Sequence, residues 1–213
     1  MFSLFRKSRR TITEKVWKTK QACYRGLATD ALLCISKGEI PLIIVFFSED
    51  FENLASFLEA SKAPMMKIEG QFFGNAIESK RSIIVADAQT VSPAVIKRIV
   101  DNGTGIRILF LGHHPMIRVE NELLDAITAP ESNRPVQFHL SLDDALLKWF
   151  GSDRIRPMMD SLGMKDDECI EHAMVGKAIA RAREKISEKV TVESKARSEE
   201  DWFKKNMKPI SQL

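Results

Sequence analysis

With 213 residues, 44% of them hydrophobic and 29% charged, the chain carries enough apolar material for one substantial core or two small ones, which excludes a disordered polypeptide. The formal net charge of +3 is spread unevenly: residues 1–20 hold seven Lys/Arg against one Glu and residues 177–213 hold ten against six acids, so basic ends flank an acidic middle. Three scattered cysteines, Cys23, Cys34 and Cys169, with no C-x-x-C pair, exclude a disulfide framework and a zinc ribbon and fit a reducing compartment.

The first ten residues, MFSLFRKSRR, set Phe2, Leu4 and Phe5 beside Arg6, Lys7, Arg9 and Arg10. This basic tail can touch an anionic membrane surface but is too short to hold there alone. No signal-peptide apolar region is present, so the expectation is a soluble, cytoplasmic protein that is at most peripheral to the membrane. From about 11 to 37 the spacing predicts a helix, with Thr13 as cap, Val16, Cys23, Leu27, Ala31 and Cys34 on one side and Gly38 closing it. PLIIVFF at 41–47 is far shorter than the ~20 residues that span a bilayer and reads as a strand buried on both faces. Ser48 to Asp50 then cap a helix to about Ala60.

The rhythm continues with strands at 65–68 and 82–86, a helix at 92–100, a strand at 106–111, a helix at 119–127 and a strand at 136–140. Strands alternating with helices predict a parallel, three-layer α/β domain over 11–150. Beyond Ser141 all that follows reads as helix, giving a helical region at 151–213. In it Val175, Ile179, Ala182, Ile186 and Val190 form one apolar stripe on a charged helix. That stripe needs cover from the Trp202/Phe203 segment, from the α/β body or from another protein.

Few residues offer chemistry. His113 and His114 follow a strand ending in Gly112, where open α/β sheets place ligands, but adjacent histidines on extended backbone point apart and read as a locally hydrogen-bonded pair. Ser141 and Asp144 have the spacing of a capping box, which accounts for the Asp143/Asp144 pair better than acid–base catalysis does. Cys169 lacks the partners of a thiol nucleophile, and Glu171 and His172 read as helix-start groups. Met158, Met159, Met164 and Met174 are either packing or an adaptable docking surface, and Trp149 and Phe150 read as core. No metal site, no cofactor site and no basic–aromatic platform for nucleic acid is present in this pattern.

The stretch from 136 to 190 resembles one family. VQFHLSLDDALLKWF, then Asp153-Arg154, Met158, Met159, LGM at 162–164 and IEH at 170–172 opening a long helix, are similar to the second motor domain and early scaffold helix of SecA, the ATP-driven motor of preprotein translocation. Weaker likeness extends back to about Ser36, with His114, Arg118, Asn121 and Leu123 as direct matches. The resemblance implies a RecA-like, P-loop-NTPase second-lobe fold. Yet the family's QLRGRSGRQGDPG falls on 122–134, so its phosphate-facing arginines become Leu124, Ala126 and Ala129, which cannot donate hydrogen bonds. TIATNMAGRGTDI becomes IIVADAQTVSPAV at 83–95, and no G-x-x-x-x-G-K-[ST] loop exists in the sequence.

The expectation is therefore a catalytically silent SecA-like adaptor that binds SecA or another translocation component. Val175, Ile179, Ala182, Ile186 and Val190, with Met158 and Met159, are the expected contact residues. The alternative is an ATPase half-site completed in trans, with Arg118 as the arginine left near nucleotide and Arg134 as a more distant candidate. A third reading keeps the fold and gives it an unrelated role.

Overall fold

The computed structural model describes residues 11–68, 81–103, 105–128, 134–150 and 152–207; the basic tail at 1–10 and Ala129 lie outside the described residues. Among the described residues seven strands form one sheet: β1 (Ile12–Trp17), β2 (Ile40–Val45), β3 (Met65–Ile68), β4 (Ile83–Asp87), β5 (Ile106–Leu111), β6 (Val136–Ser141) and β7 (Cys169–Ile170). Their order across the sheet is β3-β4-β2-β5-β6-β1-β7. The first six run parallel, and β7 pairs antiparallel with the end of β1 through Val16 and Ile170.

Each central strand alternates between two cores, which is why it reads as an unbroken apolar run. Ile40, Leu42 and Ile44 of β2, with Ile84 and Ala86 of β4 and Ile108 and Phe110 of β5, face one core. Helices α3 (Pro93–Asn102), α4 (Ile117–Ile127) and α7 (Ala173–Lys189) pack there. Ile43, Val45, Ile83, Val85, Leu109 and Leu111 face the other, under α1 (Lys20–Ser36) and α2 (Ser48–Ala60). The result is the three-layer α/β architecture of RecA-like folds. Short helices α5 (Ala145–Phe150), α6 (Ser152–Ser161) and α8 (Glu199–Asn206) complete the chain.

Four expectations need correction. Residues 12–17 are a strand, not the start of a helix: ITEKVW alternates Ile12, Glu14, Val16 against Thr13, Lys15, Trp17 and pairs with β6 along its whole length. Helix α1 starts at Lys20, capped by Thr19, whose hydroxyl accepts the Ala22 N–H at 3.1 Å. Ser48 begins α2 rather than capping it, with Phe47 in the cap position making no side-chain hydrogen bond. The sheet is mixed rather than wholly parallel, and the C-terminal part is not wholly helical, because β7 returns to the sheet edge.

The fourth correction concerns docking. Val175, Ile179, Ala182, Ile186 and Val190 are all buried within the chain itself, all but Ala182 in the same core as Phe110, Phe138 and Trp202. Helix α7 lies on α4 and α5, so the stripe that demanded a cover finds it on the α/β body. Met159 is fully buried as well, and of the seven expected contact residues only Met158 is exposed.

Candidate functional site

The carboxyl ends of parallel strands, where a doubly wound sheet binds ligands, are occupied here by the chain's own residues 191–207. After α7 the backbone turns at Val190 and crosses successive strand ends. The Gln89 side chain, beyond β4, donates to Ala196 O at 2.9 Å, and the Glu49 N–H, beyond β2, donates to Arg197 O at 3.0 Å. Beyond β5, His114 meets Glu193 at 3.2 Å and the edge of the Trp202 ring, and beyond β6, Trp149 stacks on Phe203.

The covering segment is folded on itself. The Trp202 indole N–H donates to Glu193 at 2.6 Å, and the Asn206 side chain brackets Ser194 by accepting its N–H and donating to its carbonyl. Trp202 is fully buried and Phe203 nearly so. Against ~1.5–3 kcal/mol for each large apolar side chain removed from water, these two aromatics are the main attachment of the segment. Beside it a space of about 140 Å³ is lined by Phe46, Ala88, Gln89, Pro93, His114, Val119, Glu122 and Leu123. Neither lysine nor arginine is among them; a second space, at the ends of β2 and β4 and lined by Ser48, Asp87 and Thr90, holds Lys67, which pairs with Glu59 at 2.8 Å.

The histidine pair diverges as extended backbone dictates, Gly112 supplying the positive φ (+73°) that ends the strand. His114 turns to the strand ends, stacking on Phe47, while its Nδ1 accepts the Met116 N–H at 3.1 Å. His113 turns inward beneath α7. Its Nδ1 lies 2.9 Å from Glu120 and its Nε2 3.1 Å from Glu14, so only the doubly protonated ring satisfies both carboxylates. Burial pulls the His113 pKa down, but the Glu120 charge and the hydrogen bonds to Glu120 and Glu14 outweigh it and the pKa is raised.

Arg183 of α7 completes this joint. Its Nη1 donates to Glu120 at 2.9 Å and its Nε to the His114 carbonyl at 3.0 Å. Burial of Glu120 is overcome by His113 and Arg183, and its pKa falls to about 2. One buried cluster thus ties β1, α4, the β5 exit and α7 together. His139 behaves oppositely: Trp17 Nε1 donates to its Nδ1 at 3.3 Å, leaving the proton on Nε2 toward Asp30, and burial lowers its pKa.

The Asp143/Asp144 pair is structural, as the capping-box spacing implies. Asp144 accepts the Ser141 N–H at 2.7 Å and Ser141 Oγ accepts the Asp143 N–H at 3.0 Å. The same two aspartates also hold the start of α1, Asp143 through the Lys20 N–H and Asp144 through the Lys20 ammonium. His172 accepts the Met174 N–H at the head of α7, whereas Glu171 lies 3.7 Å from the Lys15 ammonium. Leu124, one of the positions aligned with a phosphate-facing arginine, is buried in the core, Ala126 packs against that core, and Arg118 stands exposed on the first turn of α4. Among the described residues no group of His, Cys, Asp and Glu is arranged to hold a metal ion.

Glu14, Lys20, Glu120, Arg183 and Glu199 are residues that sequence reasoning passed over. A signal existed for two of them. Arg183 follows Ile179 by four and precedes Ile186 by three, and Glu120 precedes Leu123 and Leu124 by three and four, so each sits on the apolar face of its helix.

Comparison with known proteins agrees with this fold. The family model described as the SecA P-loop domain matches residues 79–167. The chain is similar to the protein translocase subunit SecA of Maridesulfovibrio salexigens, 30% identical over 191 residues, covering 84% of the chain and 22% of the relative. It is similar to that of Desulfotalea psychrophila at 28% over 183 residues (80% and 21%) and to that of Cytophaga hutchinsonii at 29% over 188 residues (82% and 16%). The chain thus spans about a fifth of the length of the curated relatives it matches. Matched along most of its own length, and folded as a RecA-like sheet where the SecA P-loop domain aligns, the chain belongs to the SecA-like family.

Proposed function

We propose that this SecA-like protein performs no nucleotide chemistry of its own and acts as an adaptor that binds a component of the protein-export machinery. The observation that carries this reading is the strand-end crevice: residues 191–207 cross it, the space beside His114 is lined by no cation, and Lys67, which lines the space at the ends of β2 and β4, is paired with Glu59 at 2.8 Å. A triphosphate needs backbone N–H groups and cationic side chains aimed at its oxygens. The matching loop here carries Asp87, whose carboxyl burial pushes up, beside Ala88 and a Gln89 already engaged with Ala196. Adaptor binding rests on relatives named as subunits of the protein translocase. No helix among the described residues is long and apolar enough to cross a membrane.

Calorimetry of the chain with Mg-ATP and with Mg-ADP is expected to give no binding heat, and a tagged chain is expected to retain SecA or another translocation component under native conditions. Tight binding of either nucleotide to the isolated chain would falsify the first half of the reading. A chain that recovers no translocation component would remove the second.

A second reading rests on Arg118, which is exposed on α4 at a position matching the family's arginine. There the chain contributes one wall of a nucleotide site completed by a partner that carries the phosphate loop. Stimulation of that partner's ATP turnover by this chain, abolished by Arg118→Ala, is the result that separates the second reading from the first.

A further inference from the structure

Helix α8 enters the body through a cavity of about 190 Å³ between α1, α2 and the β6–α5 turn. Its first residue, Glu199, is only 9% exposed. From α1, Lys20 enters the same cavity, its ammonium 3.0 Å from Asp50 of α2 and 2.9 Å from Asp144 of the β6–α5 turn. Asp143 is otherwise engaged, accepting the Lys20 N–H and pairing with Arg156 of α6 at 3.1 Å.

Tyr24 and Cys23 on α1 stay neutral, burial raising both. Glu49 is exposed, and Glu200, at the rim, is 3.9 Å from Lys148. Three inner carboxyls therefore share one ammonium. Two of them take its contacts, and Glu199 is left with a backbone hydrogen bond from Leu146. Fully ionised, the group would hold a net −2 around the buried Glu199, which is costly for a buried charge left without a partner.

We propose that α8 is a proton-operated latch: the proton on the Glu199 carboxyl, seated beside Asp50, Asp144 and the Lys20 ammonium, keeps the first turn of α8 in place, and its loss releases α8 with residues 191–198 from the strand ends. The covering segment is bonded within itself and reaches the body through the buried Ala196, Glu199, Trp202, Phe203 and Met207 and through its contacts with Gln89, Glu49 and His114, so the seating of Glu199 bears on how firmly the segment as a whole is held. Burial first, and then the Asp144 charge, push the Glu199 pKa up to about 8, with Lys20 opposing.

The sign follows. Released, Glu199 ionises near the ordinary value of about 4.3; seated, it keeps its proton to about 8. The seated state therefore loses ground as pH rises through that window, by up to tenfold in the equilibrium per pH unit, and holds level above it.

Hydrogen-exchange protection, corrected for intrinsic exchange, tests this on the full chain at pH 5 to 9. Protection of the Trp202 and Met207 amides is expected to fall with rising pH to about 8 and then level off, while the β2 and β5 amides hold. Glu199→Gln, which keeps the shape and cannot ionise, is expected to abolish the slope and to leave α8 better protected than the wild type at pH 8. A flat wild-type profile, or an unchanged slope in Glu199→Gln, overturns the proposal. If that variant does not fold, carboxyl-carbon NMR of the wild type decides: a Glu199 titration in the ordinary carboxylate range is equally fatal, and one near 8 upholds the latch.

Discussion

At His113 two carboxylates face the two nitrogens of one buried ring, and this arrangement fixes how the joint under α7 responds to substitution and to pH. Removing Glu120 leaves Arg183 and the His113 ring without their shared partner in the interior. Because breaking a buried ion pair from one side costs about 3–5 kcal/mol, Glu120→Ala is expected to lower unfolding free energy by about that amount in urea denaturation. With the Glu120 pKa at about 2 against an ordinary 4.5, its contribution is complete above that ordinary value and drains away as pH falls toward 2. The raised His113 gives the opposite flank: its contribution is complete below the ordinary imidazole value and is lost as pH rises through its own. Denaturation midpoints across pH 3 to 9 should therefore show a decline on both sides, and His113→Gln should remove the alkaline decline attributable to this ring. At His139, where one ring nitrogen accepts an indole N–H, burial first and then the Lys15 charge outweigh Asp30 and Glu171 and the pKa moves the other way.

At the scale of elements, α7 is the instructive case. Its apolar stripe was plain from spacing, and the sequence left open whether the body or a foreign protein covers it. The body covers it, so Ile186→Ala is expected to cost the isolated chain about 2–5 kcal/mol, the usual penalty for emptying a large buried aliphatic site. An unchanged midpoint in thermal unfolding would show that the stripe is not packed and would return it to the list of docking surfaces. Strands β2, β5 and β6 were legible because both faces of each are buried and the residues are β-branched or aromatic. Strand β1 was not, for a physical reason: Val16 and Cys23 stand seven apart, a spacing a helix also satisfies, and the partner that makes ITEKVW a strand lies more than a hundred residues on, at 136–141. Strand β7 was hidden as well, since two residues carry no periodicity at all.

For the whole molecule, the residues after 150 share the sheet's core: Met159, Val175, Ile179, Ile186, Trp202 and Phe203 belong to the same apolar cluster as β2, β5 and β6. Sheet and helices are expected to unfold together in denaturant, with far-ultraviolet circular dichroism and near-ultraviolet aromatic signals superimposing; two resolved transitions would mean two separable cores. The candidate site was legible only as far as the missing arginines. That the crevice is covered by residues 191–207 was out of reach, because the segment's hold depends on Trp202, Glu193 and Asn206 meeting partners that no local pattern announces.

The position of β1 between β6 and β7 has an effect on the newly made polypeptide. As synthesis runs from the amino end, the opening strand has no neighbour until residues 136–141 emerge, so six residues of extended backbone wait unpaired while the central strands assemble beside them. Pairings this distant in sequence slow folding and leave a strand available to wrong neighbours. Closing the sheet is thus a late event, completed only when Cys169 and Ile170 clip the last edge.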